Sequence, residues 1–248
     1  MADWSDLRDE LDRWQHAGLR PRLWWRDDDA QAVTPALDLL LSQSDRHGVP
    51  VHLSVIPEGL HPDLAPRLDR APRAWVLQHG LRHRNHEPKG SPASEVGATR
   101  PLPDQVADLR RGWALLAGAG LPRLLPALVP PWNRIGDETR ARLPDLGYSY
   151  LSSYEGRGDA APVPGLFHLD AHLDPIRWKK GNVFRGAHKM LDMLIDHLAQ
   201  RRTGAPAHPV GLVTHHLQTG DDIWAFTDRL FAETAGLWHD LPALRQEA

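Results

Sequence analysis

The chain has 248 residues, with 29 basic and 32 acidic side chains and a net charge of −3. That length can hold one α/β domain with a sizeable core, and the charge balance gives no basis for nucleic acid or an anionic membrane as partner. Cysteine is absent, which excludes disulfides and thiolate metal sites and leaves His and carboxylate as possible ligands.

The first ten residues are acidic and lack an apolar stretch, so no signal peptide is expected. No apolar run approaches the ~20 residues of a membrane span, and a cytoplasmic protein is the expectation. The ten Trp mostly neighbour polar residues. Besides serving a core, an indole offers a flat surface on which a sugar ring can stack.

Alternating apolar runs and amphipathic stretches set the order of elements. A leading helix is expected over Asp3 to His16, then a strand at Arg22–Arg26. That strand runs into Asp27, Asp28 and Asp29, which places three carboxylates where strand ends converge on a pocket. A helix follows from Thr34, with Pro35 in its first turn and Leu37, Leu40 and Leu41 on one face. The next strand is Val51–Ile56, with a short helix near Asp63–Leu68. Strand Ala74–Gln78 leads into His79 and His83. Two imidazoles and one carboxylate complete a three-ligand shell with a position open for water. His86 is a spare ligand, a substrate contact or an exposed side chain.

Residues 87–103 are rich in Pro, Gly and Ser and read as a long loop with the length of a functional lid. A helix near Asp104–Ala117 places Val106, Leu109, Trp113 and Leu116 at helical spacing. Strand Leu125–Val129 ends in Pro130, Pro131, Trp132 and Asn133, which read either as a rigid loop that aims an indole and an amide or as a turn with a packed Trp. A short helix at Asp137–Leu143 and strands at Tyr148–Ser152 and Leu166–Leu169 follow. A second His pair, His168 and His172, lies at the end of the latter strand. Helix Ala187–Gln200, strand Val210–Thr214 and a helix after Gly220 complete the chain. The last strand ends in His215 and His216, and His215 reads as a catalytic acid. Seven strand–helix units predict a parallel sheet able to close into a barrel, with active groups at the C-terminal strand ends.

Taken together these segments resemble the polysaccharide deacetylases, the NodB-like carbohydrate esterases of family four. Arg26-Asp27-Asp28-Asp29 is similar to the family's first motif, Thr-Phe-Asp-Asp-Gly. His79 to Asn85 is similar to the second, His-(Ser/Thr)-x-x-His. Val129 to Asn133 is similar to the third, Arg-Pro-Pro-Tyr-Gly, and Val213-Thr214-His215 to the last, Leu-x-His.

The resemblance implies a distorted (β/α)7 barrel in a single domain with one divalent ion, usually zinc. It implies a hydrolase that removes N-acetyl or O-acetyl groups from a carbohydrate. The runner-up is an amidohydrolase on a non-sugar amide, and the third reading is an inactive carbohydrate-binding barrel. By position, Asp27 is the base, Asp28, His79 and His83 bind metal, and His215 is the acid. A register shifted by one residue gives the base and ligand roles to Asp28 and Asp29. Pro131, Trp132, Asn133, His86 and Asp29 are the expected substrate contacts. Val129 departs from the third motif's arginine, with Arg134 as a substitute. Asp170, Asp174 and Trp178 are the nearest match to a fourth motif, Asp-x-x-Asp-Trp. His216 competes with His215 for the acid role.

Overall fold

The computed structural model describes residues 1–156, 162–204 and 208–246. The helices and strands in chain order are α1 (Trp4–His16), β1 (Leu23–Ala30), α2 (Pro35–His47), β2 (Val51–Val55), α3 (Leu64–Asp69) and β3 (Ala74–His79). There follow α4 (Leu102–Gly118), β4 (Leu124–Val129), α5 (Asp137–Arg142), β5 (Tyr150–Leu151), β6 (Phe167–His168), β7 (Ile176–Arg177) and β8 (Val183–Phe184). The chain ends with α6 (Ala187–Thr203), β9 (Val210–Thr214), α7 (Asp221–Glu233) and α8 (Leu241–Gln246). Local chemistry explains several boundaries. Asp3 caps α1 through a reciprocal capping box with Asp6. The Thr34 hydroxyl accepts from the Leu37 amide to open α2, with Pro35 in the first turn.

Seven strands form one parallel sheet in the order β6-β5-β4-β3-β2-β1-β9. The segment after β6 joins its two edges. Leu173 bridges Leu212 on β9, and the amides of His172 and Leu173 both donate to Gly211 O. The result is the distorted (β/α)7 barrel that the resemblance implies. At this seam the Trp24 indole crosses Gly211. A Cβ there would lie 2.6 Å from Asp170 O and collide with the indole, so only glycine fits.

Strand alternation divides the apolar residues. Trp25, Leu53, Val55 and Val76 face outward to the helices and join the main core with Leu37, Leu40, Phe231 and Trp238. Trp24, Leu77, Ala127, Val129, Tyr150 and Leu169 fill the barrel with Leu241 and Leu244 of α8. Short β7 and β8 form an antiparallel hairpin that the sequence reading did not anticipate, nor did it anticipate α8. No helix among the described residues is long and apolar enough to cross a membrane.

α8 plugs the barrel bottom, and His52 ties it down. The His52 Nδ1–H donates to Trp25 O at 2.8 Å, and Nε2 accepts from the Leu241 amide at 3.0 Å. The second bond requires a neutral ring, because a protonated Nε2 has no lone pair to accept the Leu241 amide. Burial pushes the pKa of His52 down to about 4 against the opposing effects of Trp25 O and Asp240. Below pH 6.5 the unfolded chain binds a proton here that the folded chain refuses until about pH 4. Stability from His52 is therefore complete above pH 6.5 and declines as pH falls toward 4, by about 3 kcal/mol in all. Urea unfolding of the wild type and His52→Gln across that window checks this. The variant is expected to show the shallower pH dependence, and equal slopes would refute the assignment.

Candidate active site

The three consecutive carboxylates have three destinations. Asp27 is fully buried on the outer face of β1, where its carboxylate accepts from Thr214 Oγ1 at 2.6 Å and sits 2.5 Å from His216 Nδ1. Burial lowers the pKa of His216, but the Asp27 charge and hydrogen bond outweigh it and raise it overall. Asp28 points into the barrel. Between Asp27 and Ala30, β1 spends one more residue than β2, and Asp29 takes φ +73°. This bulge turns Asp29 into the cavity beside Asp28, where a regular strand would send it to the opposite face.

His79 ends β3 on the inner face. Its Nδ1–H donates to Val129 O at 2.8 Å, which leaves the Nε2 lone pair free toward Asp29 Oδ1 at 3.3 Å. His83 returns through a turn in which Gly80 and His83 have positive φ. A Cβ on Gly80 would collide with the Glu95 carboxylate and come within 2.7 Å of Pro131. Buried Glu95 fixes the turn by accepting the amides of Leu81 and Arg82 at 3.0 and 2.8 Å. His83 Nε2 thereby lies 3.4 Å from the same Asp29 Oδ1. The long segment expected as a lid is a buttress: Ser94 Oγ donates to Arg134 O, and Val96 bridges Ile135. Glu95 escaped the sequence reading because it lies in an irregular loop, twelve residues beyond the second imidazole.

Among the described residues, Asp29, His79 and His83 form a group that fits a metal, with three ligand atoms within 4.8 Å of one another. Asp29 Oδ1 is buried without a hydrogen bond and faces two imidazole nitrogens. This donor set suits zinc or a similar divalent ion. Burial raises the pKa of the Asp29 carboxyl, but His79, His215 and His83 hold it well below the usual carboxylate range. Burial lowers the pKa of His83. Asp28, expected as the third ligand, stands outside this group and is paired with Arg26 instead. Asp27, expected as the base, does not line the cavity.

Arg26 is wholly buried inside the barrel, where its two terminal nitrogens make four hydrogen bonds and its Nε an ion pair. Nε lies 2.9 Å from Asp28 Oδ1 in an ion pair too oblique for a hydrogen bond, and Nη2 donates to Asp28 Oδ2 at 3.1 Å. Nη2 also donates to Asn133 Oδ1, and Nη1 to Ser152 Oγ, both at 2.6 Å, with Ser153 O at 3.2 Å from Nη1. Burial alone would raise the pKa of Asp28, but Arg26, His79 and His215 hold it below its ordinary value. The signal for Arg26 was its place two residues before Asp28, on one strand face.

His215 Nε2 lies 3.9 Å from Asp28 Oδ2, and its ring meets the Trp178 indole edge-on at 4.6 Å. His216 faces away, toward Asp27. A cavity of about 440 Å³ opens over these groups. Trp132, Tyr154 and Trp178 give it aromatic walls, and Asn133, Arg134, Asp174 and Arg185 complete the lining. Trp132 and Asn133 have positive φ, and the Trp132 ring lies 4.2 Å from His83. Asp174 binds the Trp178 indole N–H at 2.7 Å, as one half of the fourth-motif candidate. Pro131 and His86 do not line the cavity. His168 pairs with Asp170, and His172 contacts Arg201 and Gly211, both outside it.

No family model matches the chain, and no curated protein does. Solved structures do match in fold. A Mycobacterium smegmatis protein assigned to the polysaccharide deacetylases is 17% identical over 86% of this chain and 76% of its own, with TM-score 0.63. A family 4 carbohydrate esterase from Streptomyces lividans, solved with acetate, is 15% identical over 87% and 88%, with TM-score 0.55. Puue allantoinase is 14% identical over 92% and 89%, with TM-score 0.65. The chain thus has the fold of the polysaccharide deacetylases.

The placement of the acids predicts a split in metal binding. Asp29→Ala is expected to weaken zinc binding at least about 10-fold, and Asp28→Asn to leave it within about 3-fold, by chelator competition. The reverse pattern would mean that Asp28 is the ligand.

Proposed function

We propose that the chain is a metal-dependent hydrolase that removes N-acetyl or O-acetyl groups from a carbohydrate. The observation that carries this reading is the convergence of Asp28, Asp29, His79, His83 and His215 on one cavity at the C-terminal strand ends of a deacetylase fold. Asp29, His79 and His83 hold the ion, and zinc suits their nitrogen and oxygen donors. Bound there, zinc supplies Lewis acidity toward the acyl oxygen and lowers the pKa of a water.

The remaining steps belong to the chain. Asp28, ionised because Arg26 outweighs its burial, takes the proton of the attacking water. His215 as imidazolium gives a proton to the leaving nitrogen, since an amine does not depart as an anion. Trp132, Trp178 and Tyr154 offer flat faces to a sugar ring, and Asn133 offers an amide. These roles use the acids one residue beyond the first-motif register, with Asp28 as base and Asp29 as ligand. The cytoplasm as place of action and a single domain complete the proposal.

A second reading is hydrolysis of a non-sugar amide by the same groups. The likeness to an allantoinase over nearly the whole of both chains favours it. Acetate release from N-acetylated sugar oligomers, set against a panel of non-sugar amides and repeated after chelation, tests both. Activity on the sugars that disappears with the metal and returns with zinc is the expected result. Turnover of the non-sugar amides alone would favour the second reading, and turnover of neither would overturn both.

His215 gives a sharper test. His215→Ala is expected to keep zinc and to lower kcat on the amide by about 10²-fold. An acetyl ester with a good leaving group should lose far less, because that group departs without a proton. An equal loss on both would remove His215 from the acid role.

A further inference from the structure

Val129 stands where the third motif of the resembled family has arginine. It is fully buried, beside His79 in the sheet register. We propose that Arg26 takes the place of that arginine, as a positioning residue that fixes the Asp28 carboxylate from within the same strand. The proposal rests on the reading of Asp28 as the base.

The geometry is that of a clamp. Arg26 and Asp28 are two residues apart on the inner face of β1, so their side chains rise along one wall of the barrel. Nη2 donates to Asp28 Oδ2 at 3.1 Å, and Nε lies 2.9 Å from Oδ1 in an ion pair, so both carboxylate oxygens face the guanidinium. A guanidinium so placed sets the plane of the carboxylate as well as its charge. Its other donors are spent on acceptors from two further elements: Ser152 and Ser153 after β5, and Asn133 in the 131–133 turn. Asp28 cannot rotate unless the fork moves with it, and the fork is held from three sides.

The neighbouring positions fit this relocation. Val129 packs inside the barrel in one apolar cluster with Trp24, Leu77 and Ala127, so an apolar side chain suits that position. Asn133 adopts φ +58°, at a place where the third motif keeps glycine. Asn tolerates that conformation better than most residues. Its amide oxygen bonds Arg26, so the turn that carries Trp132 is tied to the base. A ledger of charge alone would be satisfied by any cation near Asp28. The four acceptors spread over Asp28, Asn133, Ser152 and Ser153 suit the planar fork of a guanidinium.

The test separates orientation from charge. Arg26→Lys keeps the charge and loses the fork. With zinc affinity and KM within about 3-fold of wild type, kcat on an N-acetylated sugar oligomer is expected to fall by about 10²-fold, the order that a misplaced catalytic group costs. Arg26→Thr should fall at least as far. Arg26→Thr with Val129→Arg should recover at least about tenfold over Arg26→Thr, while Val129→Arg alone is impaired. A fully active Arg26→Lys, or a double variant no better than Arg26→Thr, would overturn the proposal.

If the Arg26 variants do not fold, Asp28→Asn leaves Arg26 in place. In the wild type the Arg26 guanidinium N–H groups should give separate, slowly rotating NMR signals, and these should collapse in Asp28→Asn. Identical signals in both proteins would equally overturn it. A wild type inactive on every amide overturns the functional reading beneath it. An active wild type with an equally active Arg26→Lys overturns this proposal alone.

Discussion

One bulge in β1 decides where the chemistry sits. A regular strand would turn Asp27 and Asp29 to the helices and leave Asp28 alone in the barrel. The extra residue and the left-handed Asp29 bring two successive carboxylates to the cavity and leave the third behind the sheet. Adjacent acids then differ in surroundings, because one meets two imidazoles and the other a guanidinium. Without the bulge the strand would still set Asp28 beside Arg26, but Asp29 would not reach the two imidazoles. β-Bulges recur beside active sites for this reason.

Bringing charges into a barrel wall is costly, and around β1 the structure meets that cost by pairing. Removing one partner of a buried pair leaves an uncompensated charge, which costs about 3–5 kcal/mol. Asp28 has Arg26, and Asp27 has His216 and Thr214. The two pairs are adjacent in sequence but lie on opposite faces of β1. The outer pair anchors the turn after β9, and His215 projects from that turn into the cavity. The position of one candidate catalytic group thus depends on a buried pair that itself never meets substrate.

Much of this architecture was legible in the sequence. Apolar runs placed the seven barrel strands within a few residues, and the capping signals at Asp3 and Thr34 placed two helix starts. β1 runs on to Ala30 instead of stopping at Arg26, because Asp27 and Ala30 join the ladder on either side of the bulge. Hydrophobic patterning cannot register a polar strand end. The His79 and His83 pairing was legible from a spacing at a strand end. Which acid joins them was not, since a bulge leaves no trace in composition and three identical residues carry no phase. Arg26 could have been found from its i, i+2 relation to Asp28. Glu95 could not, because the turn it holds is remote in sequence and irregular. The hairpin of β7 and β8 has two residues per strand, too few for alternation to show.

The barrel divides its labour along its axis. At the bottom, Trp24, Tyr150, Leu241 and Leu244 exclude water, and His52 binds there only as a neutral ring. At the top, the strand ends gather ionised groups whose charges are held by one another. The middle layer joins the two: Arg26 lies one turn of the pleat above Trp24 and one below Asp28. A guanidinium at that height receives low-dielectric surroundings from below, which strengthen its grip on the carboxylate above. The apolar plug is therefore part of the electrostatics of the site. A strand that alternates Trp, Arg and Asp on its inner face passes from apolar core to the candidate site in five residues, from Trp24 to Asp28.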